Sequence, residues 1–165
     1  MRGGRAMLAP TASAVLISIR PEWCSKIVNG EKTIEVRKTK PKLEPPFKCY
    51  IYMTKGFASY AVANEMWAHN NGGMCVIGEF VCDEIRDCRD LHLEDAAMSV
   101  EQWLDYSNGH KGPIYGWHIS HLKVYTKPKD LCEFKARRRS GNWSYVERIK
   151  RAPQSWCYVE DAANG

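Results

Sequence analysis

The stretch Gly30-Glu31-Lys32-Thr33-Ile34-Glu35-Val36-Arg37-Lys38 sets two acidic and three basic side chains within nine residues. Its second half alternates polar and apolar, which predicts a half-buried strand. Ile34 and Val36 would face the core, and Thr33, Glu35 and Arg37 would share the other face. In a regular strand Lys32 points with Ile34, so it joins Glu35 only if the chain bends between Gly30 and Lys32. Charges this dense on a short strand either sit in water or line a site.

The flanks frame this strand. Upstream, Ala14-Val15-Leu16-Ile17-Ser18-Ile19 is a β-branched apolar run and predicts a strand. Pro21 suits the first turn of a helix and Glu22 its positive end. Trp23 and Ile27, four apart, share a helix face, and Gly30 ends the helix in the left-handed conformation that glycine adopts without strain. Downstream, residues 39–46 hold three prolines and read as a loop. Strands are predicted over residues 47–53, 74–82, 114–125 and 154–159. A helix is predicted over residues 60–69. Another follows Ser99, with Gln102 completing a capping box and Val100, Trp103 and Leu104 as its apolar content. Residues 135–151 are polar, basic and turn-rich around Ser140-Gly141-Asn142. Strands and short helices with no regular βαβ rhythm predict an α+β fold, a small barrel with peripheral helices.

The chain has 165 residues, 44% of them hydrophobic, which suits one domain with a real core. We expect it over residues 14–160, with residues 1–13 a disordered tail or a remnant of expression. No apolar run is long enough to cross a membrane, so no membrane partner is expected. Seven cysteines without a Cys-x-x-Cys pair argue against a zinc site and for a reducing, cytoplasmic setting; no metal or cofactor is expected. The net charge of +5 is unevenly spread, with basic residues crowding the last third. A phosphate backbone attracts such a patch, and so does water.

Gly30, Lys32, Glu35 and Arg37 form Gly-x-Lys-x-x-Glu-x-Arg, which resembles the signature of ASCH domains in the PUA-like superfamily. Ser18-Ile19-Arg20-Pro21-Glu22, Val76-Ile77-Gly78-Glu79-Phe80, Tyr115-Gly116-Trp117-His118-Ile119-Ser120, Lys129-Asp130-Leu131 and Pro153-Gln154-Ser155-Trp156-Cys157-Tyr158-Val159 resemble a phage-associated branch of that family. The resemblance spans roughly residues 15–160. It implies a mixed, mostly antiparallel β-barrel with helices over its openings. It also implies a cleft, lined by the motif, for RNA or modified nucleosides. Members include RNA-binding proteins, ribonucleases and amidohydrolases of N4-acetylcytidine, so membership does not fix the reaction.

On this reading Lys32 holds a phosphate, polarises a carbonyl or, if desolvated, acts as a base. Glu35 accepts a nucleobase amino proton, orients water or acts as general base. It stands where the amidohydrolases carry threonine, which counts against the deacetylase. Lys32 and Glu35 are the candidate catalytic pair. Arg37 grips phosphate or carboxylate through paired hydrogen bonds, or clamps Glu35. Arg20 and Lys38 are rim charges, and Trp117, Trp23 and Tyr52 are candidate stacking residues. Arg137, Arg138 and Arg139 would belong to a backbone-gripping arm. Glu79 is a candidate second acid, and Gln154 or Ser155 could bond a ligand. His118 and His121 lie three apart and cannot share a face in a regular strand. The expected partner is RNA or a nucleotide, with a hydrolase acting on RNA or on a modified nucleoside as the alternative.

Overall fold

The computed structural model describes residues 13–56, 73–87, 89 and 91–161. The helix expected over residues 60–69 lies outside them. The chain runs β1 (Ser13–Ile19), α1 (Pro21–Val28), β2 (Ile34–Arg37), β3 (Phe47–Met53), β4 (Cys75–Asp87), α2 (Val100–Ser107), β5 (Tyr115–Lys129), a short 3-10 turn (Leu131–Glu133), β6 (Lys135–Ser140), β7 (Trp143–Arg148) and β8 (Trp156–Glu160). Six strands form one curled sheet, a half-barrel, in the order β2-β5-β4-β3-β1-β8. Among the described strands only β1 and β3 pair in parallel.

Two apolar clusters hold this sheet, one on each face. The inner one gathers the odd-numbered residues of β1 (Val15, Ile17, Ile19) with Cys49, Ile51, Ile77, Phe80, Trp117 and the α1 residues Cys24 and Ile27. Alternation along β1 sends Ala14 and Leu16 to the outer cluster, where Tyr50, Tyr52, Phe134, Ala136 and Ile149 meet them. Residues 135–151 are therefore not a free loop. They form the β6–β7 hairpin, whose base is anchored by Phe134, Ala136 and Ile149. Its two-residue turn begins with Gly141 at φ +58°, the backbone that a glycine-first hairpin turn requires.

The edge strand β2 buries its apolar residues as expected, and shows which core they face. Ile34 and Val36 are buried, but Val36 joins a third cluster with Ala96, Ile114, Leu91, Trp103 and Tyr106, under α2. Glu35 stands opposite Trp117 in the β2–β5 register, and Trp117 belongs to the inner cluster. The charged face of β2 therefore points into the half-barrel and its apolar face points out, covered by residues 91–106. The expected mixed, mostly antiparallel barrel is present as a curled half-barrel: among the described strands β2 and β8 are the two edges of the sheet and do not pair. Side chains bridge part of that gap.

Candidate functional site

The bridge is built from the motif. Gly30 has φ +78° and follows the last turn of α1, and the Lys32 amide donates back to the Lys26 carbonyl (3.0 Å). This is the bend that Lys32 needs to turn toward Glu35. Its Nζ lies 3.3 Å from Glu35 Oε2 and donates to the Ala96 carbonyl at 2.9 Å. Arg37 approaches Glu35 from the other side, with Nε donating to Oε1 (3.0 Å) and Nη2 at 2.8 Å from the same oxygen. Nη2 also donates to the Ser18 carbonyl (2.7 Å), and Nη1 donates to Ser155 Oγ (3.1 Å). Arg37 thus ties β2 to the end of β1 and to the residues leading into β8. All three guanidinium nitrogens are engaged, so Arg37 is a clamp and not a free phosphate grip.

Burial makes this network expensive unless every charge is answered. Lys32 is 3% exposed and Glu35 6%. Desolvation lowers the Lys32 pKa, and the Glu35 carboxylate only partly restores it. The Lys32 ammonium also sits 5.0 Å from the centre of the Trp23 ring, and Lys26 lies 4.7 Å from the same ring. A carboxylate offers about four acceptor positions. Arg37 takes two on Oε1 and Lys32 takes one on Oε2, which leaves Oε2 able to accept one more donor.

That network floors a cleft of about 470 Å³, within the usual range of small-ligand sites. Trp23 and Tyr106 give it aromatic walls, and Arg20, Gln102, Asp105 and Gln154 supply polar groups. Burial raises the Tyr106 pKa, so its hydroxyl stays protonated at neutral pH. It donates to the Val36 carbonyl at 3.3 Å. Tyr106 sits on the last turn of α2, which is set by the predicted capping box: the Gln102 amide donates to Ser99 Oγ, and the Ser99 amide donates to the Gln102 side chain.

Lys32, Glu35, Arg37, Arg20 and Trp23 all line this cleft. Lys38 is exposed and rests over the Tyr106 ring at 4.9 Å. Trp117 does not line the cleft: it is fully buried, packed edge-on to Phe47 and tilted against Trp156. Tyr52 is buried in the outer cluster. Glu79 accepts from Tyr125 and lies 3.8 Å from Lys48, outside the cleft lining. Arg137 and Arg138 are exposed on the hairpin and pair with Glu160 (3.4 Å) and Glu147 (3.0 Å). Arg139 is placed by its register opposite Ser144. His121, at φ +48°, falls where the β4–β5 register slips, so β5 is not a regular strand there. His118 bonds Asp83 (2.6 Å) and is absent from the cleft lining.

Sequence reading missed Tyr106, Gln102 and Asp105. They reach the cleft from a helix some 70 residues after the motif, and Trp103 at helical spacing from Tyr106 carried the available signal. Among the described residues no cluster of ligating side chains could hold a metal, and no helix is long and apolar enough to cross a membrane.

The fold is similar to solved structures of the ASCH protein from Zymomonas mobilis. The unmodified protein aligns at 22% identity and a TM-score of 0.54, covering 72% of this chain and 73% of that one. Its Ser-to-Ala variant aligns at 20% identity and a TM-score of 0.57, covering 87% of this chain and 92% of that one. None of the curated proteins matches the sequence. The ASCH domain model matches residues 17–129, well over half of the chain, and the chain therefore belongs to the ASCH domain family.

Proposed function

We propose that this protein binds RNA or a nucleotide by taking one unpaired base into the cleft beside Glu35. The observation that carries the reading is the spare acceptor on Glu35 Oε2, set at the floor of an aromatic-walled cleft. A buried carboxylate held by two cations recognises a donor such as an exocyclic amino or ring N–H group. Its oxygen has no proton to offer a phosphate oxygen. The phosphate belongs to the rim instead, near Arg20 and Lys38, with the Arg137, Arg138 and Arg139 segment as a further source of charge. Base stacking on an aromatic side chain is worth about 1–3 kcal/mol, and Trp23 and Tyr106 supply the surfaces. The chain is read as one domain over residues 14–160, because β1 and β8 from its two ends pair together. Its placement in the PUA-like superfamily and its phage-associated branch is supported by the sequence blocks quoted above. A cytoplasmic site of action is supported by the buried thiols of Cys24, Cys49, Cys75 and Cys82.

Titration of mononucleotides and short RNAs against the purified protein tests this reading. Tyr106→Ala and Gln154→Ala should each weaken binding, Tyr106→Ala by roughly five-fold or more. Wild-type affinity in both variants, or no binding at low salt, would overturn it.

A second reading, a hydrolase acting on RNA or a modified nucleoside, is favoured by one observation: the Lys32 amine, its pKa lowered by burial, lies 3.3 Å from a carboxylate in a cleft able to admit a base. Turnover that persists in Lys32→Met and Glu35→Gln variants would eliminate it.

A further inference from the structure

We propose that the β6–β7 hairpin is a stacking platform for single-stranded nucleic acid, so that the protein engages an unpaired strand and not only a lone nucleotide. The proposal deepens the cleft reading but rests on different residues, outside the 17–129 family match.

Charge is the first observation. Residues 135–151 hold seven of the chain's 24 basic residues and one of its 19 acidic ones, a local net charge of +6 against +5 for the whole protein. The rest of the chain is slightly acidic. The net positive charge of the chain is therefore concentrated in this one segment, which is where a polyanion is drawn most strongly. The ion pairs Arg138–Glu147 and Arg137–Glu160 lie at the surface. Such pairs contribute little to stability and exchange readily for phosphate contacts.

The second observation is apolar. Trp143 is 81% exposed and Tyr145 48%, on a hairpin whose base is firmly packed. The register sets Ser140 opposite Trp143 and Arg138 opposite Tyr145, so Trp143, Tyr145 and Arg138 share one face. Positions two apart on a strand stand about 7 Å apart, twice the ~3.4 Å rise per nucleotide of a stacked strand. The other face carries Lys135, Arg137, Val146 and Arg148. Trp143 and Tyr145, beside Arg138 and Glu147 on their face, can stack unpaired bases while the cations of the reverse face raise the local potential for the backbone, and a duplex, with its bases already stacked, gains only the charge. This combination selects a single strand.

The third observation is proximity. Arg148 ends β7 and Gln154 lines the cleft, with exposed Lys150 and Arg151 between them. Six residue steps span at most roughly 20 Å, about six stacked nucleotides. One strand can therefore stack on the hairpin, pass along Lys150 and Arg151, and reach the cleft.

The test measures affinity for an unstructured RNA of about a dozen nucleotides, for a duplex RNA of the same length and for a mononucleotide, over a salt series. Trp143→Ala and Tyr145→Ala should each weaken single-strand binding by roughly five-fold or more and leave the salt slope unchanged. Duplex and mononucleotide binding should not change. Arg138→Ala should reduce the slope by about one. Both aromatic side chains are exposed, and an unchanged melting temperature will show that the variants fold. Wild-type single-strand affinity in both aromatic variants, or equal losses for duplex and single strand, overturns the proposal. Single-strand binding that needs Trp143 without any mononucleotide binding would remove the cleft reading and leave this one standing; the reverse pattern would remove this one alone.

Discussion

At the scale of single residues the molecule turns on Glu35. Its carboxylate is the shared counter-ion of Lys32 and Arg37, and Arg37 uses its remaining donors to hold Ser18 and Ser155. Removing one partner of a buried network leaves an unanswered charge and typically costs about 3–5 kcal/mol. Glu35→Ala should lower the free energy of unfolding in urea by that order. Glu35→Gln keeps the shape and acceptor oxygen but not the charge, and should also destabilise. An unchanged denaturation midpoint in Glu35→Ala would show that the network does not hold the fold together. The sequence announced these residues by their density and spacing, and the bend after Gly30 was foreseeable from the glycine. Which way they pointed was not legible. Alternation tells that Ile34 and Glu35 occupy opposite faces, but not which face is concave, because that depends on where residues 91–106 fold back.

At the scale of elements, α1, β2 and α2 wall the cleft, and the β4–β5 pair carries β2 from behind. Gly78 of β4 has no room for a side chain: a Cβ there would stand 2.5 Å from the Lys123 backbone oxygen. Gly78→Ala must therefore push β4 from β5 where the register already slips. A loss of about 1–3 kcal/mol is expected, read as an earlier thermal midpoint; stability equal to wild type would contradict the close approach. Helix α2 was legible from Ser99 and Gln102 because capping is a local code. The β6–β7 hairpin was not legible as strands. Lys135 to Ser140 is almost uniformly polar, with Ala136 its one apolar residue and part of the outer cluster, so the sequence shows no alternation to read. His121 was hidden for a related reason, since a positive φ at a histidine has no sequence signal.

At the scale of the whole molecule, buried ionisable groups govern the response to base. Burial pushes the thiols of Cys24 and Cys49 well above their ordinary value and that of Cys82 to about 12, and it raises Cys75, Tyr106 and Tyr125. A group with a raised folded pKa contributes stability that is complete below its unfolded pKa. That stability is lost as pH climbs toward the folded value. Lys32 works in the opposite sense: its folded pKa is lowered, so the cost of burying its charge is full below that value and fades as pH rises toward 10.5. Several thiols and phenols outweigh one amine. The melting temperature should therefore fall steadily above about pH 9, less steeply in Cys24→Ala. A melting temperature that stays level or rises up to about pH 11 would contradict the burial described here.

The half-barrel, its clasp and α2 together create one cleft, and the central claim is that an unpaired base enters it. NMR titration of the labelled protein with a mononucleotide tests this most directly. The account predicts saturable shifts in the indole N–H of Trp23, the side-chain amides of Gln102 and Gln154 and the backbone of Tyr106, with the tip of the β6–β7 hairpin unmoved. Shifts confined to the β6–β7 hairpin, or none at saturating nucleotide, would contradict it.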